Sequence, residues 1–370
     1  MSGSTFAVVT GGGTSGHVLP ALAIADGLVA NGHRQDEIVY IGAERGIETR
    51  LVPPTGYPHH FLDVVGLQRR LATSNLAFPF KLIRSIARSR TLLKRLRPAV
   101  VISVGGYASF PATFAARLRR IPILVVSYDR IPGLASRVSA RFATACAVAF
   151  EGSHLRRARY TGAPVRRDLI LLDRAAARDE ARRDLGIPLD RFVIAVFGGS
   201  LGSKLLNDAV ATLVDELGAR SDLAVRHVVG DRFLKSAAAQ RSGRGGIMYD
   251  VIGYEDRMVQ VYAAADLMIT RAGASTIAEL ATAGMPAIIV PWSASADDHQ
   301  TDNARILGEV GAAVVLSESD VAGDGLTRSV LALVDDRDHL ADMAAKAFAA
   351  GEAHRSGRLT ALIEELAADR

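Results

Sequence analysis

Short apolar runs rich in β-branched residues alternate with longer helix-compatible stretches along most of this chain. "TFAVVTG", "EIVYIG", "AVVISVGG" and "PILVVSY" read as strands, with stretches such as 20–30 and 81–96 suited to helices between them. That alternation predicts a parallel sheet with helices on its faces. A charged, alanine-rich passage follows at 166–190. The pattern then restarts with "RFVIAVFGGSLGSKLLNDAVATL", "AVRHVVG", "IMYDVIGY", "DLMITRAG" and "PAIIVPW". The expected architecture is α/β, two Rossmann-like doubly wound domains at 1–165 and 191–345, with 166–190 as a linker region. The closing stretch "HRSGRLTALIEELAADR", within 346–370, reads as an amphipathic helix packing back on the first domain.

Glycines punctuate these strands at three places. "VVTGGGTSGHVLP" places Gly11, Gly13 and Gly16 in the G-x-G-x-x-G spacing between strand and helix, and "FGGSLGSKLLN" places Gly198, Gly199 and Gly202 likewise. Each domain is thus expected to present a glycine turn and a helix N-terminus at the carboxyl edge of its sheet, where anionic groups bind. A dinucleotide enzyme needs one such loop and an acidic residue closing the second strand. "IVYIGAERG" instead ends on Gly42, with Glu44 two residues beyond, which counts against NAD. In the third element, "ITRAGASTIAELATAGMPAIIVPW", Glu279 falls early in a helix after Gly273. It suits a ribose diol, but Thr276 and Glu279 equally fit a T-x-x-E capping box.

Length and composition fit two cores: 370 residues, 49% hydrophobic. The lack of an apolar run of 18 residues and of a positive segment before a signal-like core predicts neither a spanning helix nor export. The one cysteine, Cys146, in "ATACAVAF", excludes an internal disulfide and reads as a buried small hydrophobe. His59 and His60 show no metal-ligand spacing.

Charge adds a direction. Residues 1–170 hold 23 Lys+Arg against 9 Asp+Glu, and the remainder hold 21 against 30. The first half should therefore meet an anionic surface or ligand. Residues 66–97 carry nine Lys/Arg and no acid. In the later part Leu82, Ile86, Leu93 and Leu96 fall near one helical face, as in a helix packed on a domain with its basic side in water. Around Leu76, Phe78 and Phe80, followed by Lys81 and Arg84, apolar rings lie among cations, which suits insertion into an anionic leaflet. Nucleic acid is the weaker partner class: no binding module is recognisable and aromatics are 6% of the chain.

In order, "GGGTSGHVLPALAIA", "VGGYASFPATFAA", "RIPGLASR", "TGAPVR", "FGGSLGSKLLN", "RAGASTIAELATAGMPAIIVPW" and "DDHQTDNA" resemble the MurG family over nearly the whole chain. The resemblance implies a GT-B fold, two domains facing a cleft. It implies an inverting, metal-independent hexosyltransferase that moves GlcNAc from UDP-GlcNAc to undecaprenyl-pyrophosphoryl-MurNAc-pentapeptide, working peripherally on the cytoplasmic face of the membrane. Other cell-wall synthesis proteins are candidate partners, and no cofactor is implied. Carried over by motif, Arg166, Ser200, Asn207, Glu279, His299 and Gln300 would line the donor site, with the backbone near Tyr254 receiving uracil. Thr14, His17 and Tyr107 would lie on the acceptor side. Gly12, Gly13 and Gly16 would cradle the acceptor pyrophosphate while His17 acts as base.

One segment departs from the family. Val126, Ser127, Tyr128 and Asp129, followed by Arg130, stand where His-Glu-Gln-Asn is typical, and Ala163 stands where asparagine is usual. Asp129 is the candidate to replace the lost carboxylate. A divergent family member, a paralogue serving another lipid or small-molecule acceptor, and an inactive enzyme all remain open. So do a sugar-nucleotide 2-epimerase on the same fold, a non-catalytic adaptor and, last, an NAD dehydrogenase.

Overall fold

The apolar runs form the centres of two all-parallel sheets in a computed structural model that describes residues 5–64, 78–199, 202–239, 246–295 and 298–368. The chain divides into two units: one reaches Arg167 and resumes at Ala353, the other spans Asp168–Glu352.

In the first unit seven strands lie in the order β3-β2-β1-β4-β5-β6-β7. They are β1 (Ala7–Thr10), β2 (Ile38–Ala43), β3 (His59–Leu62), β4 (Val100–Ser103), β5 (Ile123–Ser127), β6 (Ala145–Val148) and β7 (Ala158–Tyr160). Their connections carry α1 (Ser15–Ala30), α2 (Glu48–Leu51), α3 (Phe78–Leu96), α4 (Phe110–Leu118) and α5 (Leu134–Ala140). Sheets covered on both faces need strands that are apolar throughout, and β1, β2, β4, β5 and β6 are buried at every position. Val8, Ile41, Val101 and Val125 meet Leu93 of α3 and the alanines of α4 in one core. Each fully buried side chain of Leu93's size contributes about 2 kcal/mol.

The second unit repeats the plan with six strands in the order β10-β9-β8-β11-β12-β13. After α6 (Arg167–Ile170) and α7 (Arg174–Asp184), it alternates β8 (Phe192–Phe197), α8 (Lys204–Glu216), β9 (Leu223–Val228), α9 (Leu234–Ala239), β10 (Met248–Ile252) and α10 (Met258–Ala264). It continues with β11 (Leu267–Thr270), α11 (Ala274–Ala283), β12 (Ala287–Ile289), α12 (His299–Glu309) and β13 (Ala313–Val315), then α13 (Glu318–Ala322), α14 (Gly325–Asp335) and α15 (Arg337–Ala350). The passage 166–190, read above as a joining region, is from Asp168 onward built into this unit. Arg182 is fully buried, pairs with Asp266 at 2.7 Å and donates to the Ala264, Leu189 and Arg191 carbonyls.

Beyond α16 (Glu352–Arg355), α17 (Arg358–Ala368) lies on the first unit. Leu362, Ile363 and Leu366 are buried there, Asn31 donates to Glu364 at 2.6 Å, and Arg159 pairs with Glu365. No helix among the described residues is long and apolar enough to cross a membrane.

Candidate active site

In each sheet the strand order reverses between two neighbouring strands, and loops leaving their carboxyl ends diverge there to open a crevice. In the first unit those neighbours are β1 and β4. The β1–α1 turn, Gly11–Thr14, therefore faces the β4–α4 turn that carries Gly105, Gly106 and Tyr107. The two turns touch: a Cβ on Gly13, whose φ is +93°, would lie 2.7 Å from the Tyr107 ring, and one on Gly106 would strike the Gly12 carbonyl.

Three side chains brace the first turn from within the unit. The Tyr40 hydroxyl donates to the Gly11 carbonyl at 2.6 Å, and the Tyr128 hydroxyl donates to the Gly16 carbonyl. Glu48, fully buried on α2, accepts from the amides of Ala43 at 2.9 Å and Gly13 at 3.0 Å. The Gly13 amide expected to face a pyrophosphate is therefore occupied by a carboxylate of the protein itself. Gly12 remains in the turn, Gly16 lies in the first turn of α1, and Thr14 opens that helix as its N-cap without a side-chain cap bond. Instead its Oγ1 lies 3.0 Å from His17 Nδ1.

His17 is partly buried in the first turn of α1, its ring against Gly105, where the Ser136 hydroxyl also approaches. Burial lowers its pKa below the ordinary histidine value, and the charges of Asp129 and Glu48 oppose that shift. The altered segment after β5 is thus part of the site: Tyr128 holds the helix start and Asp129 acts on the imidazole. Tyr107 is 36% exposed, its phenol pushed up first by burial and then by Glu48. The structure brings Thr14, His17, Tyr107, Asp129 and the glycines into one place.

The second unit offers the same edge, with its reversal between β8 and β11. The β8–α8 turn passes close under β9: a Cβ on Gly202, at φ +69°, would strike the Val229 carbonyl. Asn207 of α8, expected on the ligand, is buried, and both its amide nitrogen and oxygen bond inside the unit. Its Nδ2 donates to the Val229 carbonyl at 3.0 Å, so its Oδ1 accepts from His227 Nε2 at 3.1 Å. That fixes the His227 tautomer, leaving Nδ1 to accept from the Tyr249 hydroxyl at 2.9 Å. Burial drives the His227 pKa down to about 4, so the ring is neutral.

Helix α11 takes Gly273 as its N-cap, not Thr276, and has neither a side-chain cap bond nor an acid in its first turn. The capping box is therefore not formed. Glu279, partly buried, instead accepts from the Tyr262 hydroxyl at 3.1 Å. Gln300 Oε1 accepts from the amides of Ala272 and Trp292 at 3.2 and 3.0 Å, tying α12 to the turns after β11 and β12 with its NH2 group outside those bonds. His299 is the first residue of α12. Tyr254, 49% exposed, follows β10, and its neighbour Glu255 is locked by Arg226 and the Arg257 amide. Arg166 belongs to the first unit and is half-buried. Ser200 lies outside the described residues.

Sequence reasoning missed Glu48, Tyr40 and Tyr128, and also Arg271. The Arg271 guanidinium donates to Ser203 at 2.9 Å and to the Val290 and Pro291 carbonyls, and pairs with Glu318 at 2.8 Å. Its place beside the third glycine element, in "TRAGA", was the available signal. Among the described residues no three His, Cys, Asp or Glu side chains cluster as metal ligands. On the outer surface of α3, Phe80 and Ile83 are 78% and 66% exposed beside Lys81 and Arg84. Leu76 and the Phe78 side chain lie outside the described residues.

Residues 7–148 match the glycosyltransferase family 28 N-terminal domain and residues 193–358 its C-terminal domain. The chain is 39% identical to the UDP-N-acetylglucosamine--N-acetylmuramyl-(pentapeptide) pyrophosphoryl-undecaprenol N-acetylglucosamine transferase of Desulforudis audaxviator, over 97% of this chain and 98% of that one. The protein of the same name from a Nocardioides species is also 39% identical, with 97% of each covered. The crystal structure of Acinetobacter baumannii MurG superposes with a TM-score of 0.76 at 28% identity, covering 98% of this chain and 99% of that one. A putative UDP-N-acetylglucosamine 2-epimerase from Listeria monocytogenes, with a TM-score of 0.67 at 15% identity over 98% and 96%, shares the fold alone.

Proposed function

This chain belongs to the MurG family within glycosyltransferase family 28, and on that premise we propose that it transfers GlcNAc from UDP-GlcNAc to undecaprenyl-pyrophosphoryl-MurNAc-pentapeptide. The observation that carries this reading is a relationship running through both halves of the chain, acceptor and donor alike. The acceptor hydroxyl attacks the anomeric carbon as the bond to UDP breaks, inverting that centre. His17 takes the hydroxyl proton on Nε2 while Nδ1 donates to Thr14. Burial keeps the imidazole neutral near pH 7, and Asp129 stabilises the imidazolium that forms. Tyr107 and the glycines shape the place where the acceptor lies.

On the donor side the uncapped start of α11 meets the diphosphate, where aligned amides favour negative charge. Glu279 accepts from the ribose diol, the backbone at Tyr254 meets uracil, and His299 with the Gln300 NH2 group meets the sugar. Arg166 and Ser200 are assigned to UDP-GlcNAc by their family motifs alone, and no step invokes a metal. Asn207 serves by holding the second glycine turn and not by touching the ligand. Phe80, Lys81 and Arg84, with Leu76 and Phe78 ahead of them, seat the enzyme on the anionic cytoplasmic leaflet where its lipid substrate resides.

The deciding experiment is UDP release from UDP-GlcNAc with and without a short-chain analogue of the lipid acceptor, followed by mass analysis. Release that depends on the analogue, with a disaccharide product, is expected. UDP-GlcNAc binding without product would redirect the search to another acceptor, and UDP-ManNAc formed without acceptor would establish an epimerase.

A further inference from the structure

Among the described residues Glu48 is a fully buried acid that lies beneath the first glycine turn, and the mechanism above gives it no task. Three glycines leave space for it. A Cβ on Gly12 or Gly46 would strike its carboxylate oxygens, and one on Gly42 would lie 2.9 Å from its Cγ. The carboxylate spans two separate pieces of backbone, accepting from the Ala43 amide at the end of β2 and from the Gly13 amide in the β1–α1 turn. Burying a carboxylate completely is costly unless its partners are in place. Here one partner is an amide of the turn that leads into the helix carrying His17, and the other is the last amide of β2.

We propose that Glu48 is a positioning residue of the acceptor-side centre: its carboxylate, held beneath the first glycine turn, fixes the turn that presents His17. The proposal rests on the reading of His17 as the base. Gly13 stands at a positive φ with its amide turned to Glu48, and α1 starts directly after it. Loss of that bond frees the turn and with it the approach of His17 to the acceptor. Groups from several elements lie around His17. Thr14 comes from its own helix, Ser136 from α5, and Asp129 and Tyr128 from the segment after β5. Glu48 contributes from α2, acting on both His17 and Tyr107. Of the two carboxylates whose charge acts on His17, Asp129 lies in the segment rewritten in this chain, and Glu48 comes from beneath the turn.

The test is steady-state kinetics of the full chain with UDP-GlcNAc and the acceptor analogue, comparing Glu48→Gln and Glu48→Asp across the acid limb. Glu48→Gln keeps the shape but removes the charge and sets an amide NH2 against the Gly13 or the Ala43 N–H. It should lower kcat about tenfold or more with KM for UDP-GlcNAc unchanged, and move the acid limb of kcat/KM down by roughly half a pH unit. Glu48→Asp keeps the charge but shortens the reach: kcat should fall with the limb near its wild-type position. A wild-type kcat in Glu48→Gln overturns the proposal. So does an equal loss in both variants with neither limb moved, because a purely structural acid would behave that way.

A measurement on the unaltered protein guards against variants that fail to fold. Amide hydrogen exchange at Gly13 should be protected, and exchange as fast as in an open loop overturns the positioning role. If wild-type protein makes no product, or His17→Ala retains full activity, the functional reading fails, while exchange at Gly13 still reports whether Glu48 holds the turn.

Discussion

Both glycine turns are held from below by side chains that never need to meet a substrate. Under the first lies Glu48, an acceptor for amides. Under the second lies the Asn207–His227–Tyr249 chain, which ends on the Val229 carbonyl. The assignment of Asn207 to the interior leads to a definite expectation. Asn207→Ala leaves the His227 Nε2–H and the Val229 carbonyl without their partner, and each buried polar group left unsatisfied costs about 1–3 kcal/mol. Thermal unfolding should therefore fall by several degrees together with UDP affinity. Loss of UDP affinity at an unchanged melting temperature would return Asn207 to the ligand. Glycine spacing made the turns legible in the sequence, because only a tight turn needs that pattern. The groups beneath were not legible: "AVRHVVG" reads as an ordinary strand, "GIETRL" carries no pattern that singles out its glutamate, and no local pattern reveals which loop a buried side chain will reach across the sheet. Gly273 shows the converse. The T-x-x-E pattern at Thr276 was legible but misleading, since the helix begins three residues earlier and Glu279 turns to Tyr262.

Among elements, the central strands were legible because burial on both faces demands continuous apolar runs, and β1, β2, β4 and β5 match the expected stretches. Strands β3, β7 and β13 were not. The first is "HHFL", the second is exposed at all three positions, and the third becomes exposed along its length, so edge placement removes the apolar signal. Helix α3 shows how one element can carry two faces. Leu92 and Leu93 are buried together with Ser85 and Ser89, the latter two small enough for close approach. The opposite side exposes Phe80 and Ile83, three residues apart, with Lys81, Arg84 and Arg88 around them. This arrangement predicts that replacing both Phe80 and Ile83 by serine weakens binding to vesicles containing anionic lipid by about tenfold or more, since each large apolar side chain buried in the leaflet contributes on the order of 1–2 kcal/mol. Turnover of a soluble acceptor analogue should stay intact. Co-sedimentation at low and high salt separates the apolar share from the cationic one, because salt screens only the latter. Unchanged sedimentation in the double variant would remove this face from the membrane.

At the scale of the whole chain, each unit contains a buried histidine that its fold holds neutral. In the second unit it is His227; in the first it is His354, whose Nδ1 accepts the Ala163 amide at 2.9 Å where the returning C-terminal segment meets the unit. Burial drives both pKa values down to about 4 from an ordinary 6.5. The sign follows from proton counting. Between about pH 6.5 and 4 the unfolded chain binds a proton at each site and the folded chain does not, so acidification favours unfolding. Stability is full above pH 6.5 and declines as pH falls toward 4, by up to about 3 kcal/mol for each histidine. His354→Asn places an amide oxygen near the position of Nδ1 and does not titrate. It should keep the C-terminal helix docked while reducing the loss of melting temperature between neutral and mildly acidic pH. His227 continues to destabilise the second unit on acidification in the same variant. Differential scanning calorimetry at both pH values checks this, because two units unfolding separately give two transitions of which only one should lose its acid sensitivity. An identical acid-induced drop in wild type and variant would mean that His354 titrates normally in the folded chain, and that the contact with Ala163 does not control its protonation.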